Sequence, residues 1–463
     1  MSNNIILNTD SYKTSHFEIL PENTTRLYAY GEARGGAFPE TVMFGLQPFL
    51  MDWLSKPITQ ENIDEAEEFT KEHGVPFNKD GWEYILKEYN GFLPVRIKAV
   101  PEGTVVPVSN VLYTIENTDD KCAWLTSYLE TAVLRAVWYG TTVATQSREM
   151  VKVITESLKK SGDISSACFK LCNFGSRGVS SYESDGIASA AHLITSKGTD
   201  SMTGIQFARK YYNTKSMLGF SIPATEHSIS TSYGPDKEYE YFKTALQKWG
   251  KTGALFATVG DTYDVYNAAI IVGSLKDELI ASGATWVFRP DSGDPVAVTE
   301  NIIKILDKSF GHTLNEKGYK VLPSCIRIIQ GDGINFDMLQ KIIDNLLSCG
   351  YSIDNIAFGS GGGLLQQVNR DTCRMAQKAS WVLIDGVEHS ICKMPITDMH
   401  KLSKRGRVTL VTNGKEFKSV LEKDVKEKGW SDKPFYEALV VVYENGKLYN
   451  MSTFEQVQER AKI

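Results

Sequence analysis

From residue 168 onward, seven short apolar runs follow one another: Cys168–Phe174, Met217–Pro223, Ala254–Val259, Thr285–Phe288, Ile326–Ile329, Ile356–Phe358 and Trp381–Ile384. Helix-like segments separate them. In 335–347, Met338, Leu339, Ile342, Ile343, Leu346 and Leu347 fall on one side, with Asn335 placed to cap the start and Gly350 to stop the helix. Strands alternating with helices are expected to run parallel through crossover connections. The seven runs lack the charges of a half-exposed sheet, which points to an α/β barrel. Upstream the pattern differs. Segments 94–100, 104–108 and 111–115 alternate as strands do, and 141–160 has a helical period with one charged face.

The residues just after the apolar runs narrow the chemistry. N-F-G-S-R-G (173–178), P-A-T-E-H-S (223–228), G-D-T-Y-D (260–264), R-P-D-S-G-D (289–294), Q-G-D-G (330–333) and G-S-G-G-G (359–363) place glycines and polar groups just past six strand ends. In α/β barrels those ends share one face, and that face carries the active site. The net charge of -6 argues against nucleic acid as the main partner, while a local basic pocket for a small anion remains compatible with it. Residues 1–7 have neither the cationic region nor the apolar length of a signal peptide. No stretch reaches the ~18 uncharged apolar residues of a membrane helix. The seven cysteines form no C-x-x-C pair, so zinc and disulfides are not expected and a reducing cytoplasm is.

Glycines 359, 361, 362 and 363 would let backbone amides approach an anion at the start of a helix over 364–368, on which Arg370 would close over a phosphate. A tight structural turn uses the same glycines. Arg289 and Asp291 suit a phosphate and sugar hydroxyls or a magnesium-bound water, with Asp261 and Asp332 from neighbouring strand ends sharing that work. Each aspartate taken alone is equally a turn cap. Phe174 is a core residue by type, but Arg177 in the same loop makes an aromatic face beside a cation, which suits a flat heteroaromatic ring. His227 is the sole histidine in a strand-end cluster, with Glu226 beside it to tune its pKa and orientation. The run Lys393…Arg407 is either a solvated face or an electrostatic rim for a polyanion.

At these residues the chain resembles the nicotinamide phosphoribosyltransferases, nearly end to end. The resemblance rests on N-T-D-S-Y-K (8–13), K-A-V-P-E-G (98–103), V-A-T-Q-S-R-E (143–149), K-G-T-D (197–200), E-H-S (226–228), R-P-D-S-G (289–293), I-Q-G-D-G (329–333) and I-A-F-G-S-G-G-G-L-L-Q (356–366). It implies the type II phosphoribosyltransferase fold: an irregular seven-stranded α/β barrel over 161–388, beside a second α+β domain built from 1–160 and 389–463. It implies a homodimer with interfacial sites. The substrates would be nicotinamide and phosphoribosyl pyrophosphate, with Mg2+ carried on the pyrophosphate and Asp261 and Asp291 reaching it through water.

Carried over by position, Phe174 would stack on nicotinamide, Tyr12 of a second copy would cover its other face, and Asp200 and Arg289 would meet the carboxamide. Arg177, Asp261, Asp291, Gly331 and Asp332 would surround ribose and phosphates. Gly361, Gly362, Arg370 and Lys378 would hold phosphate, and Arg34, Lys393 and Lys401 the pyrophosphate end. His227 would be phosphorylated when ATP hydrolysis is coupled to turnover. The family's D-F-G-Y-R-G-type loop reads N-F-G-S-R-G here, with Asn173 and Ser176, which is expected to widen the pocket beside Phe174, and the chain is shorter after Arg34. Nicotinate phosphoribosyltransferase shares the architecture, but Asp200 would repel a substrate carboxylate. A barrel lyase or isomerase should carry a Schiff-base lysine or a catalytic carboxylate at a strand end, and the six clusters contain no lysine. A non-catalytic nucleotide-binding relative would have no need of Asp200, His227, Arg289, Asp291 and Asp332 together.

Overall fold

The computed structural model describes residues 4–397, 402–427 and 435–463. The chain divides into two compact units: Met1–Thr145, Arg209–Thr214 and Asn369–Lys462 in the first, Gln146–Ala208 and Lys215–Val368 in the second.

The first unit is organised on an antiparallel sheet. Its strands lie in the order Val387–Ser390, Met375–Ile384, Thr24–Ala33, Val111–Asn117, Val95–Ala99, Val440–Glu444 and Lys447–Leu448. Val95–Ala99 alternates buried and half-buried residues, as its apolar and basic side chains dictate. The run Trp381–Ile384, expected as the last barrel strand, belongs here: it pairs antiparallel with Thr24–Tyr28. An apolar run reports burial and not strand direction, so the sequence pattern could not separate the two sheets.

The second unit holds a six-stranded parallel sheet, in the order Gly198–Thr199, Leu171–Asn173, Ile356–Ser360, Ile326–Gln330, Thr285–Arg289 and Leu255–Val259. Cys172, Ala257, Val287, Ile329 and Ala357 supply one side chain from each of five strands to a single apolar cluster, together with Phe174 and Ile222. In a flat sheet the strands of Cys172 and Ala257 would stand about 19 Å apart at ~4.8 Å per strand. Sharing one cluster requires the sheet to curl. The expected strand Met217–Pro223 is not a strand. Phe220 and Ala224 make isolated parallel bridges to Gly198 and Ala257 instead. Pro223 has no N–H to give and only accepts, from the Ala257 amide at 2.8 Å. The seven-strand count therefore becomes six strands plus a bridging segment, and the two-residue strand Gly198–Thr199 replaces one that the apolar pattern proposed.

Helices follow the strand-end loops and show which polar loop residues are structural. Asp264, Asp294 and Asn335 cap the helices Val265–Ser274, Pro295–Phe310 and Phe336–Ser348, accepting from Tyr266, Ala297 and Met338 amides at 2.9, 2.8 and 2.9 Å. Leu339, Ile342, Ile343 and Leu346 form the buried stripe of the last of these. No helix among the described residues is long and apolar enough to cross a membrane. All seven cysteines are free thiols.

Candidate active site

The strand Leu171–Asn173 delivers Phe174, whose amide donates to the Ser360 carbonyl at 2.9 Å. The ring lies against Gly359, where a Cβ would overlap it, so only glycine admits the phenylalanine at this place. Asn173 is fully buried and structural: its Oδ1 accepts from the Gly175 amide and its Nδ2 donates to Ser189, both at 2.8 Å. Ser176 turns its hydroxyl to Asp185 at 2.6 Å, while Arg177 beside it is exposed. The site residues that the composition of this loop suggested are thus placed by Asn173 and Ser176. Asp200, past the strand Gly198–Thr199, is exposed, donates its amide to the Asn173 carbonyl at 3.0 Å and accepts from the Ser221 hydroxyl at 2.5 Å.

A second group stands at the ends of three adjacent strands. His227 Nε2 lies 2.8 Å from Asp261 Oδ1, with the imidazole 44% exposed and the carboxylate 9%. A carboxylate only accepts, so Nε2 carries a proton, and in the neutral ring Nδ1 is the nitrogen with the lone pair. The expected tuning partner Glu226 instead accepts from Ser228; Asp261 orients the histidine. Arg289 Nη2 is 3.5 Å from Asp291 Oδ2, and its buried Nε has no hydrogen-bond partner among the described residues. An unpaired buried N–H is costly, and this one stands at a strand end, where a ligand can accept from it. Burial pushes the Asp291 carboxyl up; Arg289 opposes this, Asp261 adds to it, His227 opposes and Asp332 adds. Gly331 fits between Asp291 and Phe174, and a Cβ there would sit 3.4 Å from each. Ligand atoms of His227, Asp261 and Asp291 fall within 4.8 Å of one another. The two carboxylates suit Mg2+ or its waters, whereas the imidazole, occupied by Asp261, is the poorer ligand.

The glycine turn opens a helix of only four residues, Gly362–Leu365. Its Leu364 and Leu365 amides donate to the Gly361 carbonyl at 3.0 and 3.1 Å, while the Gly362 and Gly363 amides precede the first amide bonded within the helix. Gln146, in V-A-T-Q-S-R-E, donates to the Gly363 carbonyl at 2.6 Å and holds the turn; sequence reasoning did not single it out. The helix expected over 364–368 thus stops at Leu365, and Arg370 does not lie on it. Gln366 and Gln367 amides return to the Gly362 carbonyl, and Asn369 Oδ1 then accepts from the Asp371 and Thr372 amides, an Asx turn that takes the chain out of the helix.

Arg370 belongs to the first unit, as do Arg34, Lys378 and Lys393. Burial lowers the Lys378 pKa, and after an opposing Glu130 the cations Arg34, Lys393 and Arg370 lower it further, a grouping that suits a polyanion. Lys401 lies outside the described residues. The rim reading fails for the end of the basic run. Arg407 pairs with Glu116 and Glu422 at 2.8 and 2.7 Å and stacks on Tyr28 and Trp381, and Lys404 pairs with Glu32. Tyr12 is 59% exposed.

Comparison with known proteins bears directly on this site. The model of the nicotinate phosphoribosyltransferase family matches residues 169–447, and that of the nicotinamide phosphoribosyltransferase N-terminal domain matches 4–97. A nicotinamide phosphoribosyltransferase of Xanthomonas campestris pv. campestris is 46% identical over 99% of this chain and 98% of its own. The chain belongs to the nicotinamide phosphoribosyltransferases, within the nicotinate phosphoribosyltransferase family. A nicotinamide phosphoribosyltransferase of Mycoplasma genitalium is 30% identical over 87% of this chain and 94% of its own. Among solved structures, a nicotinate-nucleotide pyrophosphorylase from Pyrococcus furiosus shares the fold at a TM-score of 0.60 and 17% identity, covering 100% of this chain and 95% of that one. Human nicotinic acid phosphoribosyltransferase does so at 0.54 and 14%, covering 98% and 92%. The shared fold includes the curled parallel sheet, whose strand ends carry the candidate site.

Proposed function

We propose that this phosphoribosyltransferase moves the phosphoribosyl group of phosphoribosyl pyrophosphate to the ring nitrogen of nicotinamide, giving nicotinamide mononucleotide and pyrophosphate for NAD salvage. One observation carries the reading: an aromatic floor at Phe174, the unpaired buried N–H of Arg289 and the carboxylates Asp261 and Asp291 stand together at parallel strand ends. The relatives' names agree with it. The bridging segment 220–224 serves as the seventh stave of the barrel.

The bond from ribose C1 to the pyrophosphate oxygen breaks and its electron pair leaves with pyrophosphate. The pyridine lone pair then forms the new C–N bond on the opposite face. The ring nitrogen carries no proton, so no base is needed, and the protein's work is positioning and electrostatic stabilisation. Phe174 supports the ring, with Tyr12 of a second copy in a homodimer covering its other face. Asp261, Asp291 and Asp332 accept from the ribose hydroxyls, Gly361 and Gly362 offer amides to the phosphate, and Arg177 supplies positive charge. Asp261 and Asp291 would hold Mg2+ or its waters, and the ion would supply positive charge to the leaving pyrophosphate. His227 Nδ1 attacks the terminal phosphorus of ATP: the N–P bond forms as the P–O bond to ADP breaks. The free thiols fit the cytoplasm.

Asp200 selects the substrate, because a carboxylate accepts from an amide and repels a carboxylate. Asp200→Ser is expected to cut the preference for nicotinamide over nicotinate, in kcat/KM, about tenfold or more. Competition between the two substrates in one reaction measures it. An unchanged preference would remove Asp200 from this role.

A further inference from the structure

The helix Tyr182–His192 has a buried polar stripe at Asp185, Ser189 and His192. Asp185 is 4% exposed, and no ion pair reaches it among the described residues. Three serine hydroxyls hold it instead. Ser176 donates to Oδ2 at 2.6 Å, Ser189 to Oδ1 at 2.7 Å, and Ser201 lies 3.1 Å from both oxygens. A buried carboxylate is tolerated only when so satisfied, and each donor is fixed in return.

The donors come from different walls of the site. Ser176 sits in the loop between Phe174 and Arg177. Ser201 adjoins Asp200 and accepts from the Gly204 amide at 3.2 Å. Ser189 receives the Asn173 amide group, which closes the network behind Phe174. We infer that Asp185 is a positioning residue: one buried carboxylate ties the loop of Phe174 and Arg177 to the turn of Asp200, and so sets the span between the ring floor and the amide acceptor. This rests on the nicotinamide reading above. Ser176 thereby acquires a role, since its short side chain reaches inward to Asp185, where a bulkier one would have to leave the network.

The test is steady-state kinetics on the full chain with each substrate varied in turn. Asp185→Ala is expected to raise KM for nicotinamide about tenfold while KM for phosphoribosyl pyrophosphate stays within about twofold, because only the pyridine walls lose register. Asp185→Asn keeps an acceptor for Ser189 and a polar group toward Ser176, and restores most of the loss. Ser176→Ala, at an exposed position where folding is not at stake, raises KM for nicotinamide by about threefold. Added to Asp185→Ala it changes nothing further, as two members of one network should behave. If Asp185→Ala does not fold, Ser176→Ala and Asp185→Asn decide. An unmoved KM for nicotinamide, or equal rises for both substrates, overturns the inference while the wild-type protein still makes product. A wild-type protein that makes none overturns the nicotinamide reading and this inference with it.

Discussion

Replacing Arg289 by alanine is expected to lower kcat/KM for nicotinamide mononucleotide synthesis by about 100- to 1,000-fold, the range for removing one preorganised charge-assisted donor from an active site. Two effects combine. The buried Nε has no partner within the described residues, which leaves its hydrogen bond for the proposed substrate. The guanidinium is also the main group opposing the rise of the Asp291 pKa. Without it, burial and the charges of Asp261 and Asp332 favour the protonated acid. The acid limb of the pH–rate profile should therefore move to higher pH in Arg289→Ala, because a raised pKa keeps Asp291 protonated further up the scale. Arg289→Lys keeps the charge but not the planar fork and should fall between the two. A loss under about threefold would show that Arg289 is a structural residue.

The second large effect concerns ATP. His227→Ala is expected to abolish ATP stimulation of turnover and leave basal transfer in place. Asp261 fixes the Nε2 proton, so in the neutral ring Nδ1 is the free nitrogen on which the proposed phosphoryl transfer would act. Asp261→Asn should weaken stimulation as well, since an amide can present its N–H to Nε2 and favour the opposite tautomer. Stimulation that persists in His227→Ala assigns the histidine another role.

Much of this site is legible in the sequence because its parts announce themselves locally. A strand ends, a glycine or aspartate comes next, and a capped helix begins, as at Asp291 and Asp294 or at Asp332 and Asn335. Which aspartate caps and which faces the ligand depends on where each side chain points, and only the fold shows that Asp264 and Asp294 are caps. The pattern puts Trp381–Ile384 in the wrong sheet because burial in an antiparallel sheet and in a parallel one looks alike along a short run. Gly198–Thr199 is too short to carry an apolar signal. Asp185 leaves a faint mark: an acid four residues before Ser189 and seven before His192 puts polar groups where a helix facing the core should be apolar. Its donors at Ser176 and Ser201 come from separate loops, and no spacing rule joins them.

The most direct test is to incubate the purified protein with phosphoribosyl pyrophosphate and Mg2+, with nicotinamide and nicotinate in parallel, and to quantify mononucleotide and pyrophosphate. Nicotinamide mononucleotide and pyrophosphate in equal amounts, with little product from nicotinate, is the predicted result. Product mainly from nicotinate, or none from either, would contradict it.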